Sequence, residues 1–374
     1  MHTPKFLLSS LSHFSFVRKS LSFTHLYRWG FSPKVQGVVM LHQLGSFPTT
    51  RLRRLRQNTV LRNWAEETHP IRAQDLIMPL FITEGPTEAI AAMPGLYRYN
   101  PKDLLKEIDA LLAVGLQSCM LFPVIDPSKK SAMAEEAYNP DNLICKSIAQ
   151  IKAHAPEMIV MADVALDPYT IHGHDGITNA DHSIILNDET VQVLVKQALC
   201  FAQAGADVVA PSEMMDGRIL AIRSVLEHAD LPNTLILSYS AKYTSALYGP
   251  FRSAVGSQST LGKKDKRGYL MNPANVQEAL RKTAQDIQEG ADLVIVKPAT
   301  IYLDIIRAVT ETFSVPVFAY HVSGEYAMLK AVSQQGWLDE KATVLETLLS
   351  IKRAGTKQIL SYYAKEVAQW LKNP

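Results

Sequence analysis

The sequence predicts an α/β protein of the (β/α)8 barrel class, preceded by an extended N-terminal arm, and three observations lead there. Eight short apolar runs alternate with stretches of helical period from residue 77 to the end of the chain. Several helical stretches stop at a glycine (Gly115, Gly205, Gly290, Gly355), the residue that most readily turns a helix end toward a following strand. Side chains able to do chemistry gather just after the apolar runs, which in a barrel is the face where active sites are built. An open, doubly wound sheet made from the same alternation is the alternative.

The 374 residues suffice for one large barrel, and 47% apolar with 20% charged residues is a globular balance. No run of about 18 uncharged apolar residues occurs, so no membrane-crossing helix is expected. Cys119, Cys145 and Cys200 share no metal-ligand spacing. That argues against a disulfide framework or a structural zinc and fits a reducing compartment, the cytoplasm. Charge is uneven: residues 1–65 hold ten of the 38 Lys/Arg and no acid, leaving 28 bases against 36 acids, a net of −8, for the rest. Such a body has no basic stripe for nucleic acid. Residues 1–45, rich in Ser, Phe, Leu and bases, read as a non-structural extension. It is either a transit peptide, which would direct the protein to an organelle, or an over-extended start with Met40 the initiator. Residues 46–70 form a basic arm, expected to pack on a neighbouring subunit, and 71–374 the barrel.

The expected strands are 77–83, 117–124, 158–165, 206–211, 234–240, 291–297, 315–321 and 358–363. The helical stretches are 102–114, 141–155, 189–204, 218–228, 275–288, 301–312, 327–335 and 344–353. Asp163 and Asp167 stand at the end of the third strand, before a stretch holding His172, His174 and Asp175. Ser212 follows the fourth strand, Lys242 the fifth and Ser323 the seventh, while Lys297 ends the sixth and Tyr362 the eighth.

The run Leu293-Val294-Ile295-Val296 has the composition of a buried strand, and Lys297 at its end precedes Pro298, which cannot extend the ladder. Burial penalises an ammonium and lowers its pKa, making a lysine at a barrel mouth a nucleophile toward carbonyl carbon. A lysine that snorkels past the strand end into solvent is the alternative. Lys242 on the adjacent strand shifts the balance, because two ammonium groups at one mouth each raise the cost of protonating the other. The loop from Gly249 to Gly268, with Arg252, Lys263, Lys264, Lys266 and Arg267, reads as a lid able to hold a carboxylate or as a solvated run of charge.

The stretch Gly290-Ala-Asp292-Leu-Val-Ile-Val-Lys297-Pro-Ala-Thr-Ile-Tyr302 resembles the active-site signature of the δ-aminolaevulinic acid dehydratase (porphobilinogen synthase) family. Ser240-Ala-Lys242, Gly249-Pro-Phe-Arg252, Pro211-Ser212-Glu-Met-Met-Asp216-Gly and Val322-Ser323-Gly-Glu-Tyr326 resemble its other motifs, and the similarity runs from about residue 46 to the C-terminus. The resemblance implies a TIM barrel with an N-terminal arm, assembled as a homo-octamer. The implied reaction condenses two molecules of 5-aminolaevulinate to porphobilinogen with loss of two waters, in tetrapyrrole and haem biosynthesis, with no organic cofactor. It further implies Schiff bases on Lys297 for the propionate-side substrate and on Lys242 for the acetate-side one. Ser323 and Tyr362 would hold the first carboxylate, Arg252 and Lys266 the second, with Asp163 and Ser212 near the first substrate's amine.

Many members of that family carry three zinc-binding cysteines after the third strand. Ala165, Asp167 and Asp175 stand at the matching positions, which excludes thiolate zinc. Asp167 and Asp175 favour Mg²⁺ or another hard cation, or hydrogen bonding without metal, with His172 and His174 structural. Lys282 stands where bacterial and plant relatives often hold an allosteric Mg²⁺ through a glutamate, and an ammonium there implies an octamer independent of Mg²⁺. Leu270 replaces a common glutamine and Lys266 a second arginine, both expected to loosen the grip on the second substrate. Another Schiff-base barrel such as a class I aldolase stays open, as does a non-catalytic homologue kept as a structural oligomer. Intact Lys242 and Lys297 weigh against the latter.

Overall fold

The computed structural model describes residues 48–255 and 266–372, which fall into two compact units divided after Glu66. The extension expected over residues 1–45 lies outside the described residues. In the first unit a 3-10 turn (Leu52–Arg56) leads to a short helix (Thr59–Trp64), capped by Asn58, whose side chain accepts from the Leu61 amide at 2.9 Å. Neither element buries a residue, and Leu52, Leu55, Val60 and Trp64 are exposed.

The second unit is built on eight parallel strands: β1 (Leu76–Thr83), β2 (Ser118–Val124), β3 (Ile159–Val164), β4 (Val208–Pro211), β5 (Leu235–Lys242), β6 (Leu293–Lys297), β7 (Val317–His321) and β8 (Gln358–Ser361). Each pairs with the next, and β8 closes on β1 through Leu76↔Ile359 and Ile77↔Leu360. The closure decides for the barrel over the open sheet. Valine, isoleucine and leucine dominate these strands because helices cover one face and the barrel interior the other.

All eight helical stretches expected from the sequence are helices: α1 (Pro101–Ala113), α2 (Leu143–His154), α3 (Asn187–Gln203), α4 (Arg218–His228), α5 (Gln277–Gln288), α6 (Leu303–Thr312), α7 (Ser323–Gln334) and α8 (Glu340–Arg353). In α1, Asn100 caps the first turn, Pro101 opens it, and Leu104, Ile108 and Leu111 form the buried stripe. The four glycines expected as stops all have positive φ. Among the described residues, no helix is long and apolar enough to cross a membrane.

Four features differ from expectation. Strand β5 runs to Lys242 instead of ending at Ser240. Helix α7 begins at Ser323, not 327, because Glu325 reaches back to accept from the Val322 amide at 2.6 Å; it also accepts from the amides of Ala299 and Thr300, just after β6. A further helix, α9 (Ala364–Lys372), follows β8 and buries Ala364, Val367 and Ala368. A small hairpin (Glu88–Ala89 with Tyr97–Tyr99) adds its second strand to β1 at Phe81↔Arg98.

At the start of α7 a Cβ on Gly324 would lie 2.5 Å from the Leu247 carbonyl oxygen, so backbone meets backbone there. Neither chain can yield without moving the segment after β5. Gly324→Ala should therefore cost about 1–3 kcal/mol in a urea titration; a change within 0.5 kcal/mol, the ordinary surface range, would show the approach to be looser than described.

Candidate active site

The two lysines meet because of one extra residue. In β5, Ser238 pairs with Val294 and faces the helices, where its hydroxyl contacts Asp286 and Arg218, while Tyr239 faces the barrel interior near both lysines. Unbroken alternation would send Ser240 and then Lys242 outward with Ser238. Instead the register shifts between Ser238 and Ala241, so Ala241 pairs with Val296 and Lys242 with Lys297. A β-bulge of this kind re-aims every side chain beyond it. It turns Lys242 inward, beside Lys297. No sequence signal marks the bulge: Ser238-Tyr239-Ser240 carries no glycine.

Lys297 is buried, with Nζ 4.5 Å from the ring centre of Tyr320 and 5.2, 5.3 and 5.4 Å from those of Tyr239, Tyr248 and Phe251. Aromatic faces attract a cation, yet removal from water outweighs them. Burial first, and then the charge of Lys242, push Lys297 down to about 7, against the pull of Asp163, Asp167 and Asp175. The amine is thus substantially neutral at physiological pH. Lys242 Nζ donates to the Ser212 carbonyl oxygen. Of the rings around Lys297, only Phe251 stood in a motif quoted from the sequence, and none was given a role there; they come from β5, β7 and the segment after β5, too far apart in the chain to form a local pattern.

Asp163 is buried, and burial raises it to about 7 although Lys297 and Lys242 both draw it down. It and Lys297 therefore titrate in the same range, each through the charge of the other. Asp167 and Asp175 flank Lys266, whose Nζ stands 3.3 Å from one and 3.0 Å from the other. Burial and the neighbouring Asp175 charge raise Asp167. Burial works against Asp175 too, but Lys266, Lys242 and hydrogen bonds from Lys266 and Asp167 hold it below the usual carboxylate range. The two carboxyl groups are thus pushed apart, Asp167 upward and Asp175 downward. Lys266 is held charged, since the two carboxyl groups outweigh its burial.

Asp167, Lys242, Arg252, Lys266, Lys297, Ser323 and Tyr362 line one cavity, together with Tyr248, Phe251, Leu270, Tyr320 and Val322. Tyr362 shares a 2.8 Å hydrogen bond with the Tyr320 hydroxyl and stacks on Phe81. The Ser323 hydroxyl accepts from the Phe251 amide (2.9 Å) and donates to the Leu247 carbonyl (3.3 Å). It so ties α7 to the short helix Gly249–Ala254 that bears Phe251 and Arg252. Arg98 of the hairpin fixes the other end of that helix, donating to the carbonyls of Ala254 (2.7 Å) and Ser253 (2.8 Å). Two residues singled out from the sequence belong elsewhere. The His172 ring is neutral, lowered to about 4 by burial and by His174 and His182, and its Nδ1 accepts from the His174 amide. Lys282 lies on α5, 3.0 Å from Asp286 and 3.6 Å from Asp216.

A family model described as delta-aminolevulinic acid dehydratase matches residues 49–370. The chain belongs to that family. It is 48% identical to the delta-aminolevulinic acid dehydratase of Rhodobacter capsulatus, the alignment covering 86% of this chain and 97% of the relative. With the chloroplastic delta-aminolevulinic acid dehydratase of Physcomitrium patens it shares 49% identity over 86% of this chain and 74% of that one. Among solved structures it resembles the Toxoplasma gondii ME49 delta-aminolevulinic acid dehydratase (porphobilinogen synthase) in complex with the reaction product porphobilinogen. There the TM-score is 0.85 at 46% identity, over 87% of this chain and 92% of the other.

The electrostatics of this delta-aminolevulinic acid dehydratase family member carry a cost in stability. An ordinary lysine titrates at 10.5, and Lys297 at about 7. Between those values the unfolded chain binds a proton that the folded chain does not, so the buried amine destabilises the fold most at and below about pH 7, and less as pH rises. Lys297→Met should raise unfolding free energy at pH 7, and the gain should shrink by about 1.4 kcal/mol per pH unit toward pH 10. Urea titrations of both proteins at pH 7 and 9 measure this; an equal gain at both would contradict a depressed lysine.

Proposed function

We propose that this chain condenses two molecules of 5-aminolaevulinate to porphobilinogen, releasing two waters, through Schiff bases on Lys242 and Lys297. The observation that carries the reading is the in-register pairing of the two lysines in one cavity, one of them titrating near neutrality. A neutral amine adds to a ketone carbon, and loss of the hydroxyl as water leaves an iminium. The iminium draws electrons from the neighbouring carbon, easing loss of its proton before the carbon–carbon bond forms. Unlike the free amine, an iminium at Lys297 keeps its charge, so the four rings that only partly support the ammonium favour the intermediate. Asp163, titrating in the same range and drawn by both lysine charges, suits it to take and return protons there. A class I aldolase needs one such lysine and leaves Lys242 unexplained.

In this reading Lys297 takes the propionate-side substrate, with Ser323 and Tyr362 on its carboxylate and Asp163 and Ser212 near its amine. Lys242 takes the acetate-side substrate, with Arg252 and Lys266 on its carboxylate. Leu270 lines the same cavity where a polar partner would strengthen that second grip. A metal does not suit the site. Ala165 offers no ligand, and the Lys266 ammonium already stands between Asp167 and Asp175. Among the described residues no group of three or more His, Cys, Asp and Glu is arranged to hold a metal ion. No step is therefore assigned to Mg²⁺ or zinc.

For assembly we propose a homo-octamer with the arm at its interfaces, supported by the exposed Leu52, Leu55, Val60 and Trp64. Lys282, paired with Asp286, supplies a fixed positive charge at the place of the family's allosteric cation, so the assembly should not need Mg²⁺. We assign the protein to the cytoplasm, or to an organelle should residues 1–45 act as a transit peptide.

Borohydride reduction with 5-aminolaevulinate should trap adducts on Lys242 and Lys297, and trapping should vanish only when both are replaced. Either replacement alone should lower kcat by about a thousandfold or more, and activity should peak on the alkaline side of neutrality as the Lys297 amine loses its proton. Absence of any adduct would sink the reading. Native mass spectrometry should give the same assembly with and without EDTA; dissociation reversed by Mg²⁺ would exclude the role given to Lys282.

A further inference from the structure

We propose that Arg218 is a positioning residue for the reaction: its guanidinium, behind β5, holds the bulge that turns Lys242 into the site. The inference rests on the Schiff-base role proposed for Lys242.

Arg218 opens α4 and is fully buried. A β-bulge leaves a backbone group without its ladder partner. Here the Tyr239 carbonyl, inside the bulge, accepts from Arg218 Nη2 at 3.2 Å, and the same nitrogen donates to Ser238 Oγ at 3.1 Å. Arg218 Nη1 donates to the Met215 carbonyl at 3.1 Å. That bond fixes the loop after β4, whose Ser212 carbonyl accepts from the Lys242 amine. One guanidinium thus sets both the strand geometry that aims Lys242 and the loop that receives its amine.

The surrounding charges are arranged to keep that guanidinium in place. Glu213 Oε1 lies 2.9 Å from Arg218 Nε, and Asp286 Oδ1 lies 3.6 Å from Nη1. Asp286 also accepts from Ser238 Oγ at 2.7 Å and pairs with Lys282 at 3.0 Å. Buried ion pairs are poor stabilisers beside apolar packing of the same volume. Apolar side chains could fill the space between β5, α4 and α5, but they could not donate to the Tyr239 carbonyl. Lys297, one strand away, is not touched by this network; its strand keeps an unbroken register with β7.

The test compares the two lysines within one protein. Purified full-length wild type, Arg218→Lys and Ser238→Ala are reduced with borohydride in the presence of 5-aminolaevulinate, and the Lys242 and Lys297 peptides are quantified by mass spectrometry. Arg218→Lys keeps the charge but loses the fork, and should lower the Lys242 adduct about tenfold relative to the Lys297 adduct, with kcat falling in proportion. Ser238→Ala removes one neutral hydroxyl from the network and should lower the same ratio about threefold. If Arg218→Lys loses its cooperative melting transition, the Ser238→Ala ratio decides alone. A wild-type ratio in folded variants, or a parallel fall at both lysines, overturns the positioning role. Failure of the wild type to form any Lys242 adduct overturns instead the reading on which it rests.

Discussion

The pairing of β5 with β6 is the constraint on which the site depends. Parallel strands bring partnered residues to the same side of a sheet, so a lysine directly opposite Lys297 faces the same interior. Lys242 and Lys297 are opposite because β5 has one residue more than β6 between the same two ladder positions. Without it, the end of β5 would present Ala241 to the cavity and bury an ammonium among the helices. Barrel closure matters for the same reason. An interior sealed by eight strands and filled by Phe81, Phe122, Tyr320 and Tyr362 keeps water from the lysines, and dehydration is the first cause of the low Lys297 pKa.

The charge inventory of the mouth follows from that dehydration. Three lysines (Lys242, Lys266, Lys297) face three aspartates (Asp163, Asp167, Asp175), but they do not form three equal pairs. Lys266 and Asp175 form the strong one, and Asp167, 3.3 Å from the same ammonium, is held less firmly as a carboxylate than Asp175. Lys297 and Asp163 are the weakly held pair, both titrating at about 7. Burying six full charges would be costly; letting two groups approach neutrality reduces the number and leaves one free amine beside one carboxyl able to carry its proton.

Much of this was legible in the sequence, where the physics is local. Glycine-stopped helices, β-branched runs and the strand-end lysines gave eight strands, eight helices and the positions from which the chemistry would be done. Family motifs then led to Arg252, Ser323 and Tyr362, which line the cavity with both lysines. What remained hidden was non-local. The bulge depends on a hydrogen bond from Arg218, 21 residues away from Tyr239 in the chain. The rings around Lys297 come from β5, β7 and the segment between β5 and α5. Helix α7 was expected from residue 327, four residues late, because its first turn is set by the backward reach of Glu325 and not by an apolar period. Helix α9 has nine residues, too short to be stable alone, and holds by packing its buried Ala364, Val367 and Ala368 against β1 and α8, with Trp370 near the Tyr363 ring.

The grip of Arg98 on Ser253 and Ala254 gives the cavity a remote support. Arg98 does not line the cavity, yet it holds the last turn of the short helix that carries Phe251 and Arg252 into it. The hairpin beside β1 is therefore a buttress of the site, and a substitution at Arg98 would reach the cavity through backbone carbonyls rather than through any contact with what is bound there.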